Sequence, residues 1–84
     1  MNVHVMELAN GKIIIADVEE LPEEPSAYLK NCREIVEDIT GSVGLKKWPK
    51  YTDEPDVLIY SKSIFTISEP TSYILEKYKE SINS

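Results

Sequence analysis

The chain has 84 residues, one cysteine and a formal net charge of −6, from 15 acidic and 9 basic side chains. A chain of this length forms one domain, predicted to span residues 1–84, without an internal disulfide. The acidic balance opposes a general attraction to phosphate backbones, and the sequence shows neither a signal peptide nor an apolar run long enough to cross a membrane. These features predict a soluble, cytoplasmic protein without membrane contact.

The first predicted element is a β-hairpin. Val3–Leu8 and residues 12–20 are both rich in β-branched and apolar side chains, which favours two strands. Asn10 and Gly11 lie between them, and an Asn-Gly pair predicts a type I′ turn in which both residues adopt positive φ. Residues 19–25 are acidic and interrupted by prolines, so they predict a turn or an irregular edge.

The middle of the chain is ambiguous. The apolar residues of 27–39 fit a helical stripe, although the same segment also fits a long strand. The residues of this stripe are Leu29, Cys32, Ile35, Val36 and Ile39. Residues 40–55 contain two glycines and two prolines, which predicts a long surface loop.

The last third of the chain predicts two strands and a helix. Asp56–Tyr60 and Ile64–Ser68 are short apolar runs separated by Ser61–Ser63. A helix is expected at about residues 70–82, with Ser68 as its polar cap. Its apolar residues recur at helical spacing, and we expect this stripe to pack on the same barrel or on a neighbouring copy. The residues of the stripe are Ile74, Leu75, Tyr78 and Ile82.

Two stretches resemble the signatures of the Sm-like (LSm) superfamily, in a divergent form of bacterial or phage type. Residues 57–68 resemble the second signature, in which an apolar strand reaches an Ile-Arg-Gly turn and the next strand ends in Ile-Ser-Pro. The first signature is matched by residues at its Leu, Gly and apolar positions, with Ala16 at its second glycine. The matching residues are Leu8, Gly11, Ile14, Val18 and Leu29.

The resemblance covers about residues 4–39 and 56–68. It implies a mainly β fold, a five-stranded, strongly bent antiparallel barrel of SH3-like type over about residues 3–68, followed here by the C-terminal helix. It also implies that residues 27–39 form a long bent strand, which periodicity alone leaves undecided.

The resemblance further implies a homo-oligomeric ring, because the superfamily pairs the fourth strand of one copy with the fifth strand of the next. The predicted interface consists of the apolar residues of these two strands. They are Val57, Leu58, Ile59, Ile64, Phe65 and Ile67.

The uridine pocket of the superfamily is altered in this chain. Pro22 and Glu24 stand at its Asp and stacking positions, Pro25 and Ser26 at its Met-Asn pair, and Tyr60-Ser61 at its Arg-Gly. Losing the Arg removes both a planar stacking surface and a positive charge. An RNA site at this position would use the remaining polar and aromatic groups, which are Ser26, Tyr60, Ser61 and Ser63.

Residues 46–51 interleave cations with aromatic side chains, and Lys46, Lys47, Trp48 and Lys50 carry the pattern. This composition is typical of a platform on which single-stranded nucleic acid stacks. The alternative, which the acidity of the chain favours, is a loop whose Trp48 folds back onto the barrel while the lysines remain in water.

Sites for catalysis or metal binding lack the necessary residues. The chain has one histidine and one cysteine, and its acidic residues do not follow the pattern of a calcium loop. We therefore predict a protein that is not an enzyme and that binds no metal or cofactor. Two functions remain: a ring that binds RNA or acts as an RNA chaperone, and a structural or protein-interaction ring without nucleic acid.

Overall fold

The computed structural model of the protein describes residues 2–20 and 26–83 and contains one antiparallel sheet followed by a helix. The strands are β1 Val3–Leu8, β2 Ile13–Glu20, β3 Ser26–Glu37, β4 Val43–Lys47, β5 Asp56–Tyr60 and β6 Ile64–Ser68; a 3₁₀ turn at Ser61–Ser63 joins β5 to β6, and α1 is Ser72–Asn83. The strand order is β4-β3-β2-β1-β6, and β5 also pairs with β3. The predicted mainly β, antiparallel fold with a C-terminal helix is confirmed, with six strands instead of five.

The β1–β2 hairpin forms as predicted, but its turn is not of type I′. The Leu8 amide donates to the Lys12 carbonyl at 2.8 Å, and the Gly11 amide donates to the Leu8 carbonyl at 2.9 Å. Gly11 has φ +88°, whereas Asn10 keeps a negative φ. This is a type I turn followed by a glycine bulge. Asn10 stabilises this turn through its side chain and not through a positive φ, because its Oδ1 accepts a hydrogen bond from the Lys12 amide at 3.0 Å.

β3 is a strand along its whole length, as the resemblance implies, and it contains a β-bulge at Asn31. Between the pairs Ile15–Arg33 and Asp17–Lys30, two residues of β3 face one residue of β2. Asn31 has φ +52°, a conformation that asparagine tolerates better than most residues. The extra residue shifts the strand's alternation, so Leu29 and Cys32, three residues apart, both face the core.

Residues 40–55 do not form one long loop, because β4 lies within them. Asp38 organises the turn before β4: its carboxylate accepts the Thr40 hydroxyl at 2.6 Å and the amides of Thr40 and Ser42. These hydrogen bonds, with the Thr40 hydroxyl foremost, hold the pKa of Asp38 below its usual range. Gly41 closes the turn at φ +87°. Asp at the first and Gly at the fourth position of a turn is the sequence signal for this hairpin.

β4 and β5 occupy the same edge of β3, one after the other. β4 pairs with residues 33–37 of β3, and β5 pairs with residues 26–30. The Asn31 amide continues the ladder between them by donating to the Pro55 carbonyl at 3.0 Å. Residues 48–55 therefore form a loop that leaves this edge of β3 after β4 and returns to it at β5. Because β4 and β5 share one position in the sheet, six strands occupy five positions.

The sheet buries apolar side chains on both of its faces. The inner face carries a buried cluster, against which Trp48, Val57 and Ile64 pack. Its members are Met6, Leu8, Ile14, Ala16, Val18, Ala27, Leu29, Cys32 and Ile59. Ile15, also fully buried, faces the other side, because it pairs directly with Arg33, whose Nε donates to Ser81 Oγ on α1 at 3.1 Å.

Helix α1 begins at Ser72 rather than at residue 70. Thr71, not Ser68, is its cap, because the Thr71 hydroxyl accepts the Ile74 amide at 3.3 Å. The helix packs on the outer face of its own sheet, with Tyr78 fully buried and its hydroxyl donating to the Lys30 carbonyl at 3.2 Å. The other residues of the predicted stripe are half-buried; they are Ile74, Leu75 and Ile82.

We predict that Tyr78 anchors this helix. Tyr78→Ala should lower the free energy of unfolding by about 3–5 kcal/mol, because it leaves a cavity between α1 and the sheet. Tyr78→Phe removes only the hydrogen bond to Lys30 and should cost about 1 kcal/mol. Urea unfolding followed by circular dichroism measures both changes. Tyr73→Ala, on the exposed face of the same helix, is the control and should stay within about 0.5 kcal/mol of the wild type. Equal losses for Tyr73→Ala and Tyr78→Ala would contradict the assignment.

Candidate functional site

The residues predicted to bind nucleic acid separate into two groups in the fold. Ser26 and Tyr60 are direct partners across the β3–β5 pair, and Ser61 follows Tyr60. Tyr60 is 55% exposed, whereas Ser26 is 6% exposed and its hydroxyl, in the described part of the chain, has no hydrogen-bond partner. The remaining altered positions of the uridine pocket, Pro22, Glu24 and Pro25, lie outside the described residues.

Ser63 belongs to a different group, because it lines a cavity together with Trp48. This cavity has a volume of about 290 Å³. Three separate segments form it: the β1–β2 turn, the start of residues 48–55, and the β5–β6 connection. Its lining residues are Leu8, Ala9, Asn10, Trp48, Ile59 and Ser63. A hydrogen bond from the Ala9 amide to the Ser63 carbonyl, 2.9 Å long, joins the first segment to the third.

Trp48 packs against the inner core, so this residue folds back onto the sheet. Tyr51 lies apart from it, fully exposed at φ +65°. Residues 46–51 therefore do not present two aromatic rings side by side. The Lys47 side chain already has partners, because its Nζ donates to the Thr52 carbonyl and lies 4.0 Å from Asp53 Oδ1. Lys46 and Lys50 are exposed and form no ion pair with any described residue.

An ion pair ties the β1–β2 turn to β3. Lys12 Nζ lies 3.4 Å from Oε2 of Glu34, whose side chain is 11% exposed. The other carboxylate oxygen of Glu34 is buried and has no hydrogen-bond partner among the described residues. Removing Lys12 would leave a buried carboxylate without its cation, so this pair fixes the end of the hairpin.

The predicted interface residues point in two directions. Val57, Ile59 and Ile64 face the core of their own chain. The exposed apolar residues of β5 and β6 are Leu58 at 49%, Tyr60 at 55%, Phe65 at 76% and Ile67 at 51%. Phe65 projects because the β1–β6 register passes from Thr66 to Ile64 and skips it.

β5 and β6 also have free backbone edges. β5 pairs only with β3, and β6 pairs only with β1, within residues 2–20 and 26–83. Each strand therefore presents a second edge, with its amide and carbonyl groups, that no other described strand covers. Edges of this kind are templates for pairing with another chain.

The metal-ligating side chains of the described residues do not cluster, and the one cysteine is buried. No three His, Cys, Asp or Glu side chains of the described ranges lie together as metal ligands. Cys32 is 2% exposed, and burial raises the pKa of its thiol from 9.0 to about 12, with Arg33 opposing the effect. The thiol is therefore protonated and unreactive near neutral pH.

A family model described as a family of unknown function, DUF6561, matches residues 1–83. No curated protein matches the chain. The only helix in the described part of the chain, α1, is neither long nor apolar enough to span a bilayer.

We predict that Cys32 reacts with thiol reagents only after unfolding. At pH 8, labelling by 5,5′-dithiobis(2-nitrobenzoate) should be slow in buffer and fast in unfolding concentrations of urea, and absorbance at 412 nm measures it. Because the folded pKa exceeds the unfolded one, the neutral thiol contributes its full stability below pH 9 and loses it between about pH 9 and 12. Glutathione is the control for an exposed thiol. Rapid labelling of the folded protein would show that Cys32 is accessible.

Proposed function

The chain belongs to the family of unknown function DUF6561, and we propose that it is an Sm-like protein whose copies assemble head to tail into a homo-oligomeric ring. One observation carries the proposal: β5 and β6 each have an edge that no other strand of residues 2–20 and 26–83 covers, and together they bear four exposed apolar side chains. The ring would act as a scaffold that binds protein partners, in place of the uridine-binding role that the superfamily implies.

The arrangement of strands supports the Sm-like part of the proposal. β4 and β5 share one edge of β3, so the sheet has five strand positions. β3 is long and bulged, and a three-residue 3₁₀ turn separates the last two strands. These features agree with the two sequence stretches on which the resemblance rests.

The positions of the free edges favour a head-to-tail contact. β5 lies beside β3 and β6 lies beside β1, with β2 between those two strands, so the edges are at opposite ends of the sheet. Two unlike edges that pair between copies form a heterologous interface, which closes into a ring when the rotation permits. Such pairing satisfies the backbone groups of both edges and removes the liability that an exposed edge creates.

The side chains at these edges favour association in spite of the net charge of −6. Leu58, Tyr60, Phe65 and Ile67 are about half or more exposed. Complete burial of such a side chain contributes about 1.5–3 kcal/mol. β5 and β6, with the turn that joins them, contain only Asp56 and Lys62 as charged residues. The contact surface is therefore less acidic than the chain as a whole.

The altered uridine pocket supports the scaffold role. The Ser26 hydroxyl is buried, so it is not available to hydrogen-bond a base at the surface. Tyr60 stands where the superfamily has an Arg, and a tyrosine supplies no positive charge. A ring also repeats the negative charge of each chain, which opposes the approach of a phosphate backbone.

We predict that the wild-type protein has a solution mass several times the 9.6 kDa of one chain. Phe65→Lys combined with Ile67→Lys should give a folded monomer, because two lysines on β6 block pairing by repulsion and desolvation. Size-exclusion chromatography with light scattering measures the mass, and circular dichroism checks folding. Ile39→Lys, on the exposed β3–β4 turn, is the control and should leave the mass unchanged. A wild-type monomer at micromolar concentration would refute the proposal.

Mixing two blocked variants tests the head-to-tail geometry. Leu58→Lys with Tyr60→Lys leaves β6 free, and the β6 variant above leaves β5 free. Each variant alone should be monomeric, and an equimolar mixture should form a heterodimer through the two intact edges. A contact between like edges would instead let one variant dimerise by itself, and that result would overturn the head-to-tail arrangement.

We predict that oligouridine binds the Ser26–Tyr60 region no more tightly than about 10⁻⁴–10⁻⁶ M at physiological salt, the range of non-specific binding. Fluorescence anisotropy with a labelled oligouridine measures the affinity, and Tyr60→Ala should change it little. Nanomolar binding that Tyr60→Ala abolishes would restore the uridine-binding function and contradict the scaffold role.

A further inference from the structure

The cavity beside Trp48 has the composition of a small ligand site. Four of its six lining residues are apolar, and Asn10 and Ser63 are the two polar ones. Leu8 and Ile59 are 4% and 9% exposed, so they contribute buried apolar surface to the cavity. Binding sites typically combine such apolar surface with a few polar groups that orient the ligand. A volume of about 290 Å³ is at the small end of their range, which favours a ligand with one ring system.

The polar groups of the cavity favour a planar, hydrogen-bonding ring. Asn10 Oδ1 is committed to the Lys12 amide at 3.0 Å, and this bond fixes the orientation of the side-chain amide. The Nδ2 group is then the donor that Asn10 offers to the cavity. Ser63 adds a hydroxyl, and the indole of Trp48 adds a flat surface on which an aromatic ring can stack. Nucleobases have both a stacking face and carbonyl or ring-nitrogen acceptors.

The charges around Trp48 favour an anionic substituent on this ring. Lys46 and Lys50 lie two residues before and two residues after Trp48, and neither forms an ion pair in the described part of the chain. Lys12 and Lys47, by contrast, are paired with Glu34 and Asp53. Neither lysine lines the cavity itself, but both are exposed and flank Trp48 in the chain, and Lys46 lies across from Glu34 on β3. In a chain with net charge −6, two lysines without an ion pair to a described residue, on either side of Trp48, raise the local positive charge.

We infer that this cavity binds one nucleotide, with the base stacked on Trp48 and hydrogen-bonded by Asn10, and with the phosphate held by Lys46 and Lys50. The nucleotide comes either from a free nucleoside monophosphate or from a single-stranded nucleic acid. The site is separate from the Ser26–Tyr60 region. It is formed within one chain, so it does not rest on the proposed ring.

Trp48 is the only tryptophan of the chain, so its fluorescence reports directly on the cavity. Titration of the full-length protein with AMP and with UMP should quench this emission with a dissociation constant of order 10⁻⁵–10⁻⁴ M for at least one of them. The matching nucleoside, which lacks the phosphate, should bind about tenfold more weakly. Isothermal titration calorimetry provides a second measure that does not depend on ligand absorbance.

Two variants test the assigned contacts. Asn10→Asp keeps an acceptor for the Lys12 amide but replaces the Nδ2 donor with a carboxylate oxygen, so affinity should fall at least tenfold while the melting temperature stays within a few degrees. Lys46→Gln with Lys50→Gln should reduce nucleotide affinity to that of the nucleoside. Lys79→Gln, exposed on α1, is the matched control and should bind like the wild type.

Hexamers of adenylate and uridylate distinguish the two sources of the ligand. Tighter binding of a hexamer than of its mononucleotide, lost in the double lysine variant, indicates a single strand, whereas equal affinities indicate the free nucleotide. The inference is overturned if millimolar AMP and UMP leave Trp48 emission unchanged. It is equally overturned if Asn10→Asp and the double lysine variant bind as the wild type does.

Discussion

The distribution of hydrogen bonds along β3 determines the rest of the sheet. One edge of this strand holds β2, and the other holds β4 along its second half and β5 along its first. Asn31 lies between these two halves of β3. Its positive φ allows the bulge, and its amide donates a hydrogen bond to the Pro55 carbonyl, which continues the strand pairing from β4 to β5. Because the bulge adds one residue, both halves of β3 direct apolar side chains into a single core. The cavity, the free β5 edge and the site of α1 all follow from this arrangement.

The same bulge explains why periodicity alone could not identify β3. Leu29 and Cys32 are three residues apart, a helical spacing, yet both are buried on the inner face of the strand. The other predicted strands are recognisable because they are short segments rich in β-branched and apolar residues next to turn residues. The sequence does not predict β4, because Gly44 and the prolines that follow suggest a loop and its pairing depends on contact with β3. Strand pairing of this kind is a tertiary interaction that local composition does not encode.

The candidate sites show the same division between local and tertiary information. The apolar runs on β5 and β6 were identified from sequence, but which residues face the core depended on pairing with β3 and β1. The sequence indicates both Trp48 and Ser63 as candidate residues, yet nothing local predicts that they line one cavity. The sequence does not indicate Asn10 as a cavity residue, because an Asn-Gly pair is first of all a turn signal. The hydrogen bond from the Lys12 amide to Asn10 Oδ1 both stabilises the turn and orients the Asn10 side-chain amide at the cavity.

The interruption of one strand position by residues 48–55 has a consequence for how the chain tolerates changes in length. The ladder on β3 resumes at Asp56, so the sheet needs only that the two ends of this segment stay close together. Loop closure becomes only about 0.6 kcal/mol less favourable for each doubling of length. Tyr51, fully exposed at the tip, therefore marks a place where relatives can differ by insertion and where an epitope or a fluorescent label can be introduced without disturbing the register.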